Sequence, residues 1–148
     1  MADIRHRVGI AAPQEQVYEA LATVDGLSSW WTSETEGDSS AGGTLQFFFG
    51  RSEPGAVMEV DKESASDRIG WECVTGPEDW VGTKLNFDLS SSDGETILLF
   101  THADWREPSE FMAHCSTKWG YFLLGLKASL EGGQATPYPG DLKISNWG

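Results

Sequence analysis

A chain of 148 residues with ten Lys and Arg against 23 Asp and Glu carries a formal net charge of −13. That field repels phosphate backbones and anionic headgroups, so nucleic acid and membrane surfaces are poor partners, and solubility is the plainest role of the acidity. Seven Trp and seven Phe supply a large core, and the length predicts one domain, residues 1–148, burying roughly 70% of its unfolded surface.

No apolar run is long enough to cross a bilayer, and Met1-Ala2-Asp3-Ile4-Arg5-His6-Arg7 lacks the apolar segment of a signal peptide. Two cysteines, Cys73 and Cys115, make no disulfide framework. The expectation is a reduced, cytoplasmic protein.

Ile4, His6, Val8 and Ile10 alternate with Arg5, Arg7 and Gly9, the pattern of a half-buried strand. Pro13 then suits a first helical turn, and Val17, Ala20, Leu21 and Val24 form a helical face running to Asp25-Gly26. Asp25 is placed to cap a second short helix holding Leu27, Trp30 and Trp31. From Thr32 to Gly43 the chain is polar and glycine-rich and reads as a surface loop. Strands follow at Thr44 to Phe49, Ala56 to Glu63, Arg68 to Val74, Lys84 to Leu89 and Ile97 to Ala103. Ser90-Ser91-Ser92-Asp93-Gly94 is turn chemistry joining the last two as a hairpin.

After Pro108 the period changes from two to 3.6. Phe111, Cys115, Trp119, Phe122, Leu123, Leu126 and Leu130 form one broad apolar stripe on a helix predicted from Ser109 to Gly132. Gly120 and Gly125 lie within this helix, neither central on the stripe, and either admit another element or allow a bend. The predicted fold is α+β. A six-stranded curved antiparallel sheet wraps around a long C-terminal helix, with two short helices after strand one: the helix-grip order.

Several motifs carry a resemblance. Ala12-Pro13-x-x-x-Val17-Tyr18-x-Ala20-Leu21 followed by Trp30-Trp31 resembles the N-terminal signature of the START-related (SRPBCC) superfamily of birch-allergen-like, polyketide-cyclase-like and lipid-transfer proteins. Gly55-x-Val57-x-Glu59-Val60, Ile69-Gly70-Trp71, Thr101-His102 and Trp119-x-x-x-Leu123-x-x-Leu126-Lys127 are similar to its Aha-type branch, named after the activator of the heat-shock-protein ATPase. Gly140-Asp141-Leu142-Lys143-Ile144, after Pro137 and Pro139, resembles bacterial members, so the likeness spans nearly the whole chain. It implies a cavity between sheet and long helix that binds lipids, hormones, polyketides or aromatic compounds. The eukaryotic namesake is a co-chaperone, and some relatives catalyse cyclisation. Fold alone does not choose among these.

The residues expected to line such a cavity are Trp31, Phe47, Phe87, Phe100, Cys115, Trp119, Phe122 and Leu126, with His6 or His102 as polar anchors. The plainer alternative is that the aromatics fill a solid core. Trp80, in the loop Gly76-Pro77-Glu78-Asp79-Trp80-Val81-Gly82, is either a lid or a surface anchor. His102 and Asp104 share a strand face if the alternation continues, which permits an acid/base pair; otherwise His102 is a satisfied strand-end histidine. His114 and Cys115 are about 100° apart on the helix and do not converge on one metal. Glu59, Asp61 and Glu63 lie opposite Met58 and Val60, hence on the solvent side. No phosphate loop, dinucleotide fingerprint, nucleophile elbow or CxxC is present. No catalytic residue, metal or cofactor is therefore assigned. The first expectation is a binder of a small apolar or aromatic molecule. The second is a stress-response module with a chaperone-type protein partner, and the third a cyclase or hydrolase using His102 or His6.

Overall fold

The computed structural model describes residues 1–148. Strand β1 (Ala2–Ile10) leads into helices α1 (Gln14–Ala22) and α2 (Val24–Trp30). Strands β2 (Thr35–Gly37), β3 (Thr44–Phe47), β4 (Ala56–Val60), β5 (Arg68–Thr75), β6 (Lys84–Ser92) and β7 (Glu95–Trp105) follow, and α3 (Glu110–Leu130) completes the set. The strands form one antiparallel sheet in the order β1-β7-β6-β5-β4-β3-β2, with α3 packed against β1 and α2.

The sheet has seven strands rather than six. The additional one, β2, pairs Thr35 with Phe47 and Gly37 with Leu45 inside the segment expected to be loop. Three residues with only Thr35 buried give no alternating signal, which is why the pattern misses it. Gly37 has φ 116°, and a β-carbon there would stand 2.3 Å from the Thr44 carbonyl oxygen, so the edge requires glycine.

The β6–β7 turn is shorter than Ser90 to Gly94. Ser92 pairs with Glu95, leaving Asp93 (φ 51°) and Gly94 (φ 80°) as a two-residue turn of the type that matches strand twist. At the far end β7 outlasts Ala103. Asp104, at φ 71°, lies in a bulge where the register passes from Ile4↔His102 to Ala2↔Trp105. The extra residue breaks the alternation, so Trp105 turns into the core, fully buried, instead of outward.

One expected cap and one expected helix start are corrected. Thr23, not Asp25, caps α2, its hydroxyl accepting from Gly26 N at 2.9 Å. Ser109 caps α3 by accepting from Met112 N at 3.2 Å, so the helix starts one residue later than predicted. Along α3, Cys115, Trp119, Phe122, Leu123 and Leu126 are buried as the stripe requires. β4 ends at Val60; Glu59 in the strand and Asp61 and Glu63 beyond it are all exposed.

The helix glycines are packing positions. A methyl at Gly120 would meet His6 Cε1 at 3.5 Å and one at Gly125 would meet Ala135 at 3.5 Å, both ordinary contacts. At Gly26 it would lie 2.6 Å from the Glu19 carbonyl oxygen, where α1 crosses α2. The two sites therefore respond oppositely to alanine. Gly120→Ala stabilises by about 0.5–1 kcal/mol, whereas Gly26→Ala destabilises, by roughly 1–3 kcal/mol for an overpacked contact. Urea denaturation of the two variants checks both signs.

Candidate functional site

The aromatic core is organised around Trp31 and Trp119, whose ring centroids lie 4.9 Å apart. Trp31 ends α2 and packs on Phe47 at 4.3 Å and Trp71 at 6.1 Å. The turn after it is pinned by Thr32 Oγ1 donating to Phe48 O (2.7 Å) and Thr35 Oγ1 donating to Thr32 O (2.9 Å). Trp119 reaches from α3 to Phe100 on β7 at 4.7 Å and to Trp80 at 6.1 Å.

Trp80 is not a surface anchor. It is 9% exposed and its loop is closed by Trp80 N donating to Pro77 O. Arg106 holds the same loop by donating to the carbonyls of Glu78 and Val81, at 2.9 and 3.2 Å.

A polar relay crosses this apolar surround. Trp119 Nε1–H can only donate, and its partner at 3.2 Å is His102 Nδ1. Nδ1 is therefore the acceptor nitrogen, so Nε2 carries the hydrogen and donates to Thr83 Oγ1 at 2.8 Å. Thr83 in turn donates to the Trp80 carbonyl at 2.5 Å. His102 is fully buried, and burial lowers its pKa to about 3. With both ring nitrogens committed, it has none free for a substrate proton. It does not pair with Asp104, which the bulge carries away. His102 is a satisfied structural histidine, but it lies inside β7 rather than at a strand end, and side chains rather than a backbone carbonyl satisfy it.

Next to this relay lies an apolar cavity of about 280 Å³. Cys115, Trp119 and Phe122 of α3 form one wall, Phe49 and Ala56 the sheet side, and Trp31 and Trp80 the floor and end. His114, Lys118 and Trp147 stand at its edge. Of the residues expected there, Trp31, Cys115, Trp119 and Phe122 line it. Phe47, Phe87, Phe100, Leu126 and His102 lie in the packed core and are not among its walls. His6 sits half-buried at the β1–α3 seam, 3.3 Å from Ser116 Oγ and stacked on Phe100 at 6.4 Å. Lys118 and Trp147 carried no sequence signal for the cavity, since neither belongs to the stripe or to an alternating strand; Phe49 was expected to end a strand that in fact stops at Phe47.

The thiol in the wall is inert. Burial pushes Cys115 up to about 12, against the Trp80 indole, which acts in the opposite direction. The Trp80 indole N–H itself is buried without a hydrogen-bond partner. Cys73 is pushed up to about 11, again by burial. No three His, Cys, Asp or Glu side chains converge as a metal site. No helix is long and apolar enough to cross a membrane. A depression of about 420 Å³ on the outer sheet face is larger, but Glu59, Lys62, Arg68, Glu72 and Lys84 line it and it opens to solvent.

The sequence pattern of the family described as Activator of Hsp90 ATPase homolog 1-like protein matches residues 11–131, most of the chain. The chain belongs to that family. It is similar to the protein of the "Solution structure of the Aha1 dimer from Colwellia psychrerythraea". The two share 41% identity over 90% of this chain and 98% of that one, with a TM-score of 0.79. The same fold occurs in protein SSP2350 from Staphylococcus saprophyticus, 18% identical over 90% of this chain and 95% of that one (TM-score 0.73). It also occurs in CalU16 from Micromonospora echinospora, 20% identical over 97% and 75% (TM-score 0.75). No curated protein sequence is significantly similar. Membership of the Aha1-like family places the chain in the Aha-type branch of the SRPBCC superfamily, whose fold commonly serves as a ligand-binding or co-chaperone-like module.

Proposed function

We propose that this Aha1-like protein binds a small, largely apolar aromatic molecule between the sheet and α3. One observation carries the reading: an apolar cavity of about 280 Å³ persists beside a core whose other aromatics are fully buried. The cavity opens to solvent beside Trp147, so a ligand can enter, and roughly 150 Å³ of dry apolar space already admits benzene. A space of this size, walled by indole and phenyl rings, suits one or two fused rings held by stacking, with few polar contacts. The domain is read as one unit in a reducing compartment, where its two buried thiols stay free.

Indole supplies the test. Titrated into labelled protein at millimolar concentration, it shifts the amide resonances of Cys115, Trp119 and Phe122 saturably, leaving β6 unmoved. Shifts confined to the surface, or none at all, sink the proposal. Native mass spectrometry of the protein from its own cell then identifies the natural ligand.

A second reading, a stress-response module with a chaperone-type or self partner, is favoured by exposed apolar side chains. Leu124 on α3 is 58% exposed and Leu142 61%. The Colwellia relative is described as a dimer. Light scattering that changes on Leu124→Lys supports this reading; a monomer at all concentrations argues against self-association.

A further inference from the structure

Residues 133–148 fold back along α3 and edge the mouth of the cavity. Tyr138 is stitched to the end of α2: its N–H donates to Trp31 O at 2.8 Å, and its carbonyl accepts from Ser33 N at 3.1 Å. Its ring packs on Phe49 at 5.3 Å. Further along, Ser145 Oγ lies 3.2 Å from His114 Nδ1, and the Trp147 indole stands edge-on to His114 and Phe111 at 5.6 and 6.3 Å. Trp147 lines the cavity while remaining 53% exposed.

Between these two points lies Lys118, at the cavity edge. Its three donors all go to the tail: to the Asp141 carboxylate, to Leu142 O at 2.8 Å and to Gly148 O at 3.3 Å. The Lys118 and Asp141 side chains are only 14% and 12% exposed, and the ammonium lies 5.2 Å from the Phe122 ring centre. An ammonium so far out of water needs an anion opposite it. The chain thus places a carboxylate on the edge cation and an aromatic ring at the mouth of the same apolar cavity.

We propose that this contact stands in for the ligand. The cavity takes an aromatic carboxylate, whose acid group replaces Asp141 on Lys118 while its ring enters between Trp119, Phe122 and Trp80. This rests on the ligand-binding reading above and names the class of ligand. The exchange leaves no unpaired charge, because Asp141 moves into water as the incoming carboxylate takes its place. A neutral aromatic of the same shape gains the ring contacts alone and leaves the tail seated.

Calorimetry with phenylacetate and its neutral isostere phenylacetamide tests the assignment on the full chain. In Asp141→Asn, phenylacetate binds about tenfold tighter than to the natural sequence, as freeing a partly buried charged partner implies. Phenylacetamide binding is unchanged. In Lys118→Met the two compounds bind alike. In the natural sequence, phenylacetate but not phenylacetamide shifts the Trp147 indole N–H resonance, a readout independent of how the variants fold. Equal binding of the two compounds to Asp141→Asn, or an unmoved Trp147 signal with phenylacetate bound, overturns the proposal. If phenylacetamide binds and the carboxylate has no advantage, only this inference falls. If neither binds and indole also fails, the ligand-binding reading falls with it.

Discussion

Trp119→Ala lowers the free energy of unfolding by about 3–5 kcal/mol, the range for truncating a buried Trp, and the thermal midpoint by roughly 10–15 °C. Trp119 is 2% exposed and touches Trp31, Phe100 and Trp80 at once, so its removal opens a void that α3 cannot collapse to fill. It also strips His102 Nδ1 of its donor. Trp119→Phe separates the two effects: it keeps most of the packing and loses the N–H, costing about 1–3 kcal/mol for the stranded acceptor. Guanidinium denaturation of both variants gives the numbers. A loss below about 0.5 kcal/mol for Trp119→Ala is a surface response and contradicts the position assigned to this face of α3.

The second large effect is on pH. His102 has a pKa of about 3 in the folded chain because burial disfavours its charged form; unfolded, it returns to its ordinary value of 6.5. Between those values the unfolded chain binds a proton that the folded one does not, so acid favours unfolding. The stability contribution is complete above pH 6.5 and declines as pH falls toward 3, by about 1.4 kcal/mol per pH unit. Carboxylates add their own slope below about pH 5, so the comparison is with His102→Gln, which cannot titrate. The difference in slope between the two proteins, measured by urea melts from pH 7 to pH 5, grows through pH 6.5 and approaches that one-proton value near pH 5. Parallel curves rule out a buried neutral imidazole.

Much of this architecture is legible in the residues, because each element keeps one period. The alternation of Ile4 to Ile10 and of Lys84 to Leu89, and the stripe from Phe111 to Leu130, each point to one face. What escapes is where the period is interrupted or too short to register. β2 has a single inward residue, Thr35. The bulge at Asp104 inverts the face of Trp105, which no alternation rule anticipates. The cavity was only half legible for a related reason. Periodicity separates inside from outside but not wall from filling, so Trp119 and Phe100 read alike although only Trp119 borders open space. Phe49 and Trp147 come from irregular segments where no period exists to read. Thr83, which precedes β6 and belongs to no periodic run, emerges as the middle of the relay only from its distance to His102.

That relay runs in one direction. It begins at an indole that can only donate and ends at a carbonyl that can only accept, so no member can reverse its role. Natural variation at these positions should therefore be correlated. His102→Leu alone strands the Trp119 N–H in a dry interior, and Thr83→Val alone strands the imidazole N–H. The combination of His102→Leu, Thr83→Val and Trp119→Phe leaves no polar side chain seeking a partner. Lineages of this domain should keep all three residues or exchange them together, and an intermediate carrying only one change should be a temperature-sensitive protein.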